Sequence, residues 1–460
     1  MYFLIILFLI LSSADIKAQS DSALKNADAR SYELYNAAKW NELISYCENA
    51  LIKKIDFIYL RVRLGIAYYE TGKYFDAIVN LKKAYDLGYR GPYLTELLYY
   101  SYIQTGRTED ADYYFSKLPV KTKKKIRPLG NPFISEFDIN GGSGFSNDAS
   151  ENSSTDLDGQ DNVYGEQIIS DDYFFLNAGF KQIPLNWLNV TYNYTFLDLQ
   201  KTKEIMFNNN KIFDDYRQYQ HQFFLKTSIR AGDGFVVSTS GHYIYTKDNT
   251  IYAQYDSLNN NNGTLVNDAP VYYYTVTNKE TTQDNFVLSL SLSKQFYIYK
   301  SGIHGSFSYL NGNHQTQLGA FLTAYPAKKN TFYTFSDLTL QDQNDVLNLI
   351  FFQSAGGKIY KGLWLEAFGA IGNMNNYNEQ NGLLVYNNPD VIKYKFGTEL
   401  NYFFNKNLSA SLVYVYQQRE KRYLTYTITG FSNNLPVAIP EYRNLNYSVN
   451  TFLAGLKIYF

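Results

Sequence analysis

Hydrophobic positions along this chain keep two different periods, and the change falls near residue 130. Before it, apolar residues recur every three to four positions, which predicts amphipathic helices over residues 24–125. After it they alternate. L-S-L-S-L-S-K (Leu288 to Lys294) puts leucine on one face and serine on the other. I-K-Y-K-F-G-T-E-L-N-Y sets Ile392, Tyr394, Phe396, Leu400 and Tyr402 against Lys393, Lys395, Glu399 and Asn401. In N-L-S-A-S-L-V-Y-V-Y, Leu408, Ala410, Leu412, Tyr414 and Tyr416 oppose Ser409 and Ser411. A period of two is that of strands with one apolar and one wet face.

About fourteen such segments can be placed, with twelve and sixteen as bounds. They lie near 134–146, 169–181, 185–200, 213–231, 234–248, 282–297, 301–311, 314–324, 331–341, 346–356, 363–374, 391–404, 407–419 and 444–460. Their connections alternate between short ones (182–185, 231–234, 299–302, 325–330, 404–408) and long ones (147–168, 201–213, 248–281, 375–390, 420–443). A soluble sandwich shares the alternation, but an even count with short turns at one end and long loops at the other is the pattern of a transmembrane barrel. Pro184, Pro270, Pro326, Pro389, Pro436 and Pro440 all fall in turns or loops, where no ladder N–H is lost. G-G-S-G at 141–144 lies inside the first segment and predicts a bend or bulge. The expected fold is thus α plus membrane β, with an antiparallel transmembrane β-barrel over 133–460.

In the helical region Leu64, Gly65, Tyr68, Gly72, Tyr74, Ala77, Leu81 and Ala84 are followed one period of 34 later by Leu98, Tyr99, Tyr102, Gly106, Thr108, Ala111, Phe115 and Leu118. A thinner copy precedes them at Leu34, Ala38, Trp40, Leu43 and Ala50. This resembles the tetratricopeptide (TPR) family, and implies a three-repeat α-solenoid over 24–125. The resemblance places Tyr59, Arg63, Ile66, Tyr69, Tyr93, Glu96, Tyr100 and Ile103 along a concave groove, as candidate contacts for a protein partner. Residues 119–132 carry Pro119, Pro128 and Pro132 with Lys121, Lys123, Lys124, Lys125 and Arg127, which reads as a basic linker. Its charges suit either solvent or the anionic head groups of outer-membrane lipid. The opening M-Y-F-L-I-I-L-F-L-I-L-S-S-A-D-I-K-A is too short to span a bilayer and is expected to be a signal peptide over 1–18.

The last strand sets Phe452, Ala454, Leu456, Ile458 and Phe460 on one face and Thr451, Gly455, Lys457 and Tyr459 on the other. A closing alternating strand that ends on Phe460 is similar to the signal by which barrel-assembly machinery recognises outer-membrane proteins. The chain as a whole resembles outer-membrane proteins that join periplasmic TPR repeats to a barrel, such as YaiO-like proteins. Exopolysaccharide exporters share that order with more repeats.

Composition narrows the chemistry. Aromatics make up 18% of residues, which suits strands and membrane girdles. The formal charge of −1 gives no nucleic-acid footprint. Cys47 is the single cysteine, so a disulfide framework and a thiolate metal cluster are excluded. No cofactor motif appears. His304-Gly305-Ser306 is similar to the H-x-S pair of outer-membrane phospholipase A, but no orienting acid or amide can be assigned, and no enzyme is expected. Asp156, Asp158 and Asp161 in the first long loop form an incomplete calcium pattern. Lys393, Lys395, Glu399 and Lys457 are expected to face the lumen, with mixed sign. These features lead to an outer-membrane protein whose barrel anchors a periplasmic docking scaffold for a larger envelope machine. The alternative is an outer-membrane channel for export or uptake of a solute or polysaccharide.

Overall fold

The computed structural model of the chain describes residues 22–126, 134–153, 157, 162–207, 210–255, 265–266, 269–270, 274–328, 330–432 and 435–460. The expected signal peptide, the Arg127–Pro132 part of the linker and the Asp156, Asp158 and Asp161 cluster lie outside these residues.

The first helix, α1, covers 22–36. It is followed by α2 (Trp40–Ile52), α3 (Ile58–Glu70), α4 (Tyr74–Asp86), α5 (Pro92–Gln104), α6 (Thr108–Lys117) and α7 (Val120–Ile126). Gly72 ends α3 at φ +71°, so that Gly72 and Lys73 donate back to Tyr69 and Tyr68 and turn the chain into α4. Gly65 lets the same two helices touch, since a Cβ there would lie 2.6 Å from the Leu81 side chain. Leu43, Cys47, Leu60, Leu64, Leu81, Leu94 and Leu98 fill the shared core.

Cys47 is wholly buried in that core, and burial pushes its thiol up to about 12. An unfolded thiol titrates near 8.5. The folded state therefore holds this proton more tightly, so the contribution is complete below about pH 8.5 and is lost as pH rises toward 12. A disulfide reagent at pH 8 is expected to leave the native protein unlabelled and to label one thiol per chain after denaturation. Labelling of the native protein at that pH would show that the helices open.

After the helices come β1 (Glu136–Ser146), the short helix α8 (Asp148–Asn152), β2 (Asn162–Leu185), β3 (Leu188–Phe207), β4 (Asn210–Gly232) and β5 (Phe235–Tyr255). Two-residue strands β6 (Leu265–Val266) and β7 (Ala269–Pro270) pair with each other. Next are β8 (Tyr274–Phe296), β9 (Tyr299–Leu310), β10 (Asn313–Ala324), β11 (Phe332–Gln343), β12 (Val346–Tyr360) and β13 (Leu363–Met374). A small hairpin, β14 (Asn378–Glu379) with β15 (Leu384–Val385), precedes β16 (Val391–Phe403), β17 (Leu408–Ser432) and β18 (Leu435–Tyr459).

Fourteen of these strands close an antiparallel barrel in the order β1-β18-β17-β16-β13-β12-β11-β10-β9-β8-β5-β4-β3-β2. Each contains or overlaps one of the alternating segments of the sequence. The seam joins β1 to β18, with Glu136 opposite Tyr459 and Phe145 opposite Asn450. Leu288, Leu290, Leu292, Ile303, Leu318, Leu338, Leu340 and Leu349 are exposed on the outer face, an apolar belt that only lipid covers.

The wall is uneven. Strands β9, β10, β11 and β13 are 12 residues long, whereas β2 has 24 and β17 and β18 have 25 each. The described residues of the segments 201–213 and 420–443, expected as loops, are the projecting ends of strands β3 and β4 and of β17 and β18. Beyond the end of β16, β17 turns its free edge onto β2, where Leu424 meets Glu166 and Tyr426 meets Tyr164. Two smaller expectations are also corrected. G-G-S-G at 141–144 makes no bulge, because β1 keeps its register with both neighbours; Gly142 and Gly144 instead leave room for the rings of Phe175 and Tyr173. Ile392 does not share the face of Tyr394, because the ladder shifts register between them and turns Ile392 inward against Met374 and Ile350.

Candidate functional site: the barrel lumen and its inward hairpin

The inner face is wet by composition. On β8, Asn285, Ser289, Ser291, Ser293 and Gln295 point inward, and all are buried. Ser289 is covered by the connection between β13 and β16, residues 375–390, which folds into the lumen. Its sequence N-N-Y-N-E-Q-N-G explains the tight path. Asn376, Gln380, Asn381 and Gly382 all take positive φ, which Asn and Gly tolerate and Gln adopts less readily.

The wall holds this hairpin mainly through polar contacts. Ser289 donates to the Asn381 carbonyl at 2.7 Å, and Ser240 bonds the same oxygen. His242 Nδ1 lies 2.6 Å from the Gly382 carbonyl, and Gln315 donates to the Asn375 carbonyl at 2.8 Å. Asn378 donates to Ser306 at 3.1 Å. Lys395 reaches Glu379 at 2.6 Å and the Tyr386 hydroxyl at 2.8 Å, with both ionic side chains almost fully buried. Among the described residues apolar contact falls at two spots: Tyr377 and Tyr386 against Ile350, Ala370, Met374 and Ile392, and Val385 against Ile244, Val287 and Leu310. At the same seat His242 Nε2, Gln341 Oε1, Asn375 Oδ1, Glu379 Oε1 and Asn387 Oδ1 are buried with no partner among the described residues. Buried polar atoms are normally satisfied, so these five make the seat less completely bonded by the described residues than a packed core would be.

Toward the short turns the lumen changes character. His304, Phe321, Phe335, Phe352 and Phe368 project inward from β9 to β13, and their rings follow one another at centroid distances of 5.8 to 6.4 Å. Glycines beneath them make this possible, since a Cβ at Gly302 or Gly397 would strike the ring of Phe321 or Phe368.

The helical region sits on the short-turn end. Asp110 of α6 receives Arg230 at the end of β4 at 2.7 Å, and the guanidinium lies 4.2 Å from the Tyr113 ring centroid. Lys82 pairs with Asp233 at 3.2 Å, Ser116 accepts from Asn186 at 3.0 Å, and Phe75 packs against Tyr325. Tyr297 donates to Asp76 at 2.7 Å; burial and that carboxylate push its phenol upward.

The residues singled out in the sequence fall as follows. Lys395, Glu399 and Lys457 face the lumen, where Lys395 pairs with Glu379, Lys457 with Glu136 and Glu399 accepts from Asn401. Lys393 does not, because the register shift that turns Ile392 inward leaves Lys393 on the outer face, paired with Glu420 and Asn373. Tyr59, Arg63, Ile66 and Tyr69 lie on α3, and Tyr93, Glu96, Tyr100 and Ile103 on α5. Tyr59, Tyr93 and Ile103 are exposed, Ile66 is buried, Arg63 is bound to Asp28, and Lys125 of α7 lies 3.8 Å from Glu96. Phe460 is exposed at the short-turn end and donates its N–H to the Ser135 carbonyl. His304 has an acid partner after all, Asp337 at 2.8 Å from the neighbouring wall. Ser306, however, also faces the lumen and bonds Asn378 of the hairpin, so the pair has no access to the lipid side. Among the described residues no group of three metal-ligating side chains occurs. The inward hairpin itself was missed; its signal was an Asn-rich run followed by L-L-V-Y, too apolar for a solvated loop.

A closed barrel, apolar outside, polar within and filled by its own hairpin, is a plugged transmembrane β-barrel of the outer-membrane class. No protein-family model matches the chain, and no curated protein matches it either. Among solved structures it is similar to a Pseudomonas aeruginosa FadL homologue (7% identity, 71% of this chain and 90% of that one, TM-score 0.44). It is also similar to the Pseudomonas putida toluene transporter TodX (9% identity, 72% and 90%, TM-score 0.43). PcrH from Pseudomonas aeruginosa matches over 20% of this chain and 71% of its own, at 17% identity and TM-score 0.19.

The expectation of an anchored docking scaffold is corrected here. The structures similar over the barrel are a transporter and a FadL homologue. The helical region rests on the barrel through the buried Asp110–Arg230 pair.

Proposed function

We propose that this protein is an outer-membrane channel for a small solute, closed by the 375–390 hairpin and opened when that hairpin leaves its seat. The observation that carries this reading is the seat: buried yet polar, with atoms unpartnered among the described residues and left-handed backbone at a non-glycine residue such as Gln380. A permanent filling would be packed like a core; this one gives up comparatively little on release into water. The ring belt beneath offers passing solutes an apolar face. In this reading the short turns and the helical region face the periplasm, the helices form a TPR solenoid, and residues 1–18 are removed on export.

Conductance in planar lipid bilayers tests it. The intact protein is expected to open rarely, and a variant with residues 376–386 replaced by a glycine-serine bridge to conduct steadily, with open probability raised at least about tenfold. A deletion variant that folds, as judged by heat-modifiable migration, yet stays silent would overturn the channel.

A further inference from the structure

The inward lysines of this barrel are not alike. Lys181 and Lys457 share Glu136, Lys395 has Glu379, Lys421 has Asp148, and Lys201 on β3 donates to Gln218 at 2.9 Å. Lys226 on β4 and Lys300 on β9 project from the inner face with no ion pair among the described residues. Between them the wall is made of hydroxyls: Ser228 and Ser238 bond each other at 2.9 Å, and Ser291 and Ser293 follow on β8. On the far side of Lys300 the ring belt begins, with Phe321 and Phe335.

We propose that Lys226 and Lys300 form a binding site for the anionic group of an organic solute whose apolar body lies along Phe321 and Phe335. The proposal rests on the channel reading and names the class of solute. Two half-buried ammonium groups that repel each other gain from a shared anion more than either gains from water, because the lumen wall screens charge less than solvent does. The chain brings carboxylates of its own to this end of the barrel: Asp110 of α6 holds Arg230, which follows Lys226 on β4, and Glu109 stands next to Asp110 in the first turn of the same helix. A carboxylate therefore belongs at this end of the lumen. Ser238 and Ser291 supply donors beside it, and the rings favour an aryl or other flat apolar body.

Calorimetric titration of the full-length protein in detergent decides the matter, with 2-naphthoate and its uncharged counterpart 2-naphthalenemethanol as probes. Naphthoate is expected to bind about tenfold more tightly. K226Q/K300Q is expected to erase the preference while leaving the alcohol unchanged, and K226Q alone to reduce it; Lys393→Gln, whose ion pair lies elsewhere, serves as control. Equal binding of the two probes, no binding of either, or a preference that survives K226Q/K300Q in folded protein would overturn the site. A silent hairpin-deleted barrel that still prefers naphthoate would refute the gate and leave the anion site standing, so the two failures are told apart.

Discussion

Lys395→Ala is expected to raise the open probability of the barrel by about two orders of magnitude. Lys395 and Glu379 are 2.6 Å apart, with side-chain exposures of 3% and 8%. Removing the lysine leaves Glu379 buried without a counter-charge, which typically costs about 3–5 kcal/mol. Each 1.4 kcal/mol is about a factor of ten, so the seated state should lose two to three decades against the released one. The lower figure is expected, because Ser289, Ser240 and Gln315 still hold the hairpin backbone. Replacing the pair together, Lys395→Met with Glu379→Leu, removes both charges and should keep the barrel closed, since an apolar pair of similar volume is often neutral. Single-channel recordings separate these outcomes. An unchanged open probability in folded Lys395→Ala would mean that the ion pair does not set the gate.

The barrel was legible because a lipid-facing strand must alternate, and fourteen segments did so without interruption at Leu288–Lys294 or Leu408–Tyr416. What failed to show was anything set by enclosure. Residues 375–390 have a loop's composition, and only the closed wall gives Asn375 and Asn381 partners on β10, β5 and β8. The outer hairpin extensions were read as loops because, above the membrane, neither face needs to be continuously apolar. Tyr423 through Tyr426 alternate no more clearly than a linker would. His304 and Asp337 belong to strands 33 positions apart in sequence, so their bond could not be inferred before β9, β10 and β11 were in register. Pairing of charges was likewise invisible: mixed signs in the lumen were evident, but not that Lys226 and Lys300 would stand without a carboxylate partner among the described residues.

Asp110→Ala is expected to release the helical region from the barrel. Asp110 is 4% exposed and receives Arg107 at 2.6 Å and Arg230 at 2.7 Å, so one carboxylate neutralises a guanidinium from each side of the interface. Its loss brings two positive groups together in a buried place with nothing between them. The penalty for breaking such a pair, about 3–5 kcal/mol, exceeds what the remaining contacts can make up, since surface pairs such as Lys82–Asp233 contribute about 1 kcal/mol or less. Docking should weaken by about a hundredfold as a result. The barrel itself should fold normally, because Arg230 lies at the strand end, where solvent can reach it once the helices leave. A cysteine pair at Ser116 and Asn186, whose side chains are hydrogen-bonded at 3.0 Å, reports the docked state by its rate of oxidation. That rate should fall steeply with Asp110→Ala and little with Arg107→Ala, which keeps the pair across the interface intact. Equal rates in all three proteins would show that Phe75 on Tyr325, not the buried ion pair, holds the helices in place.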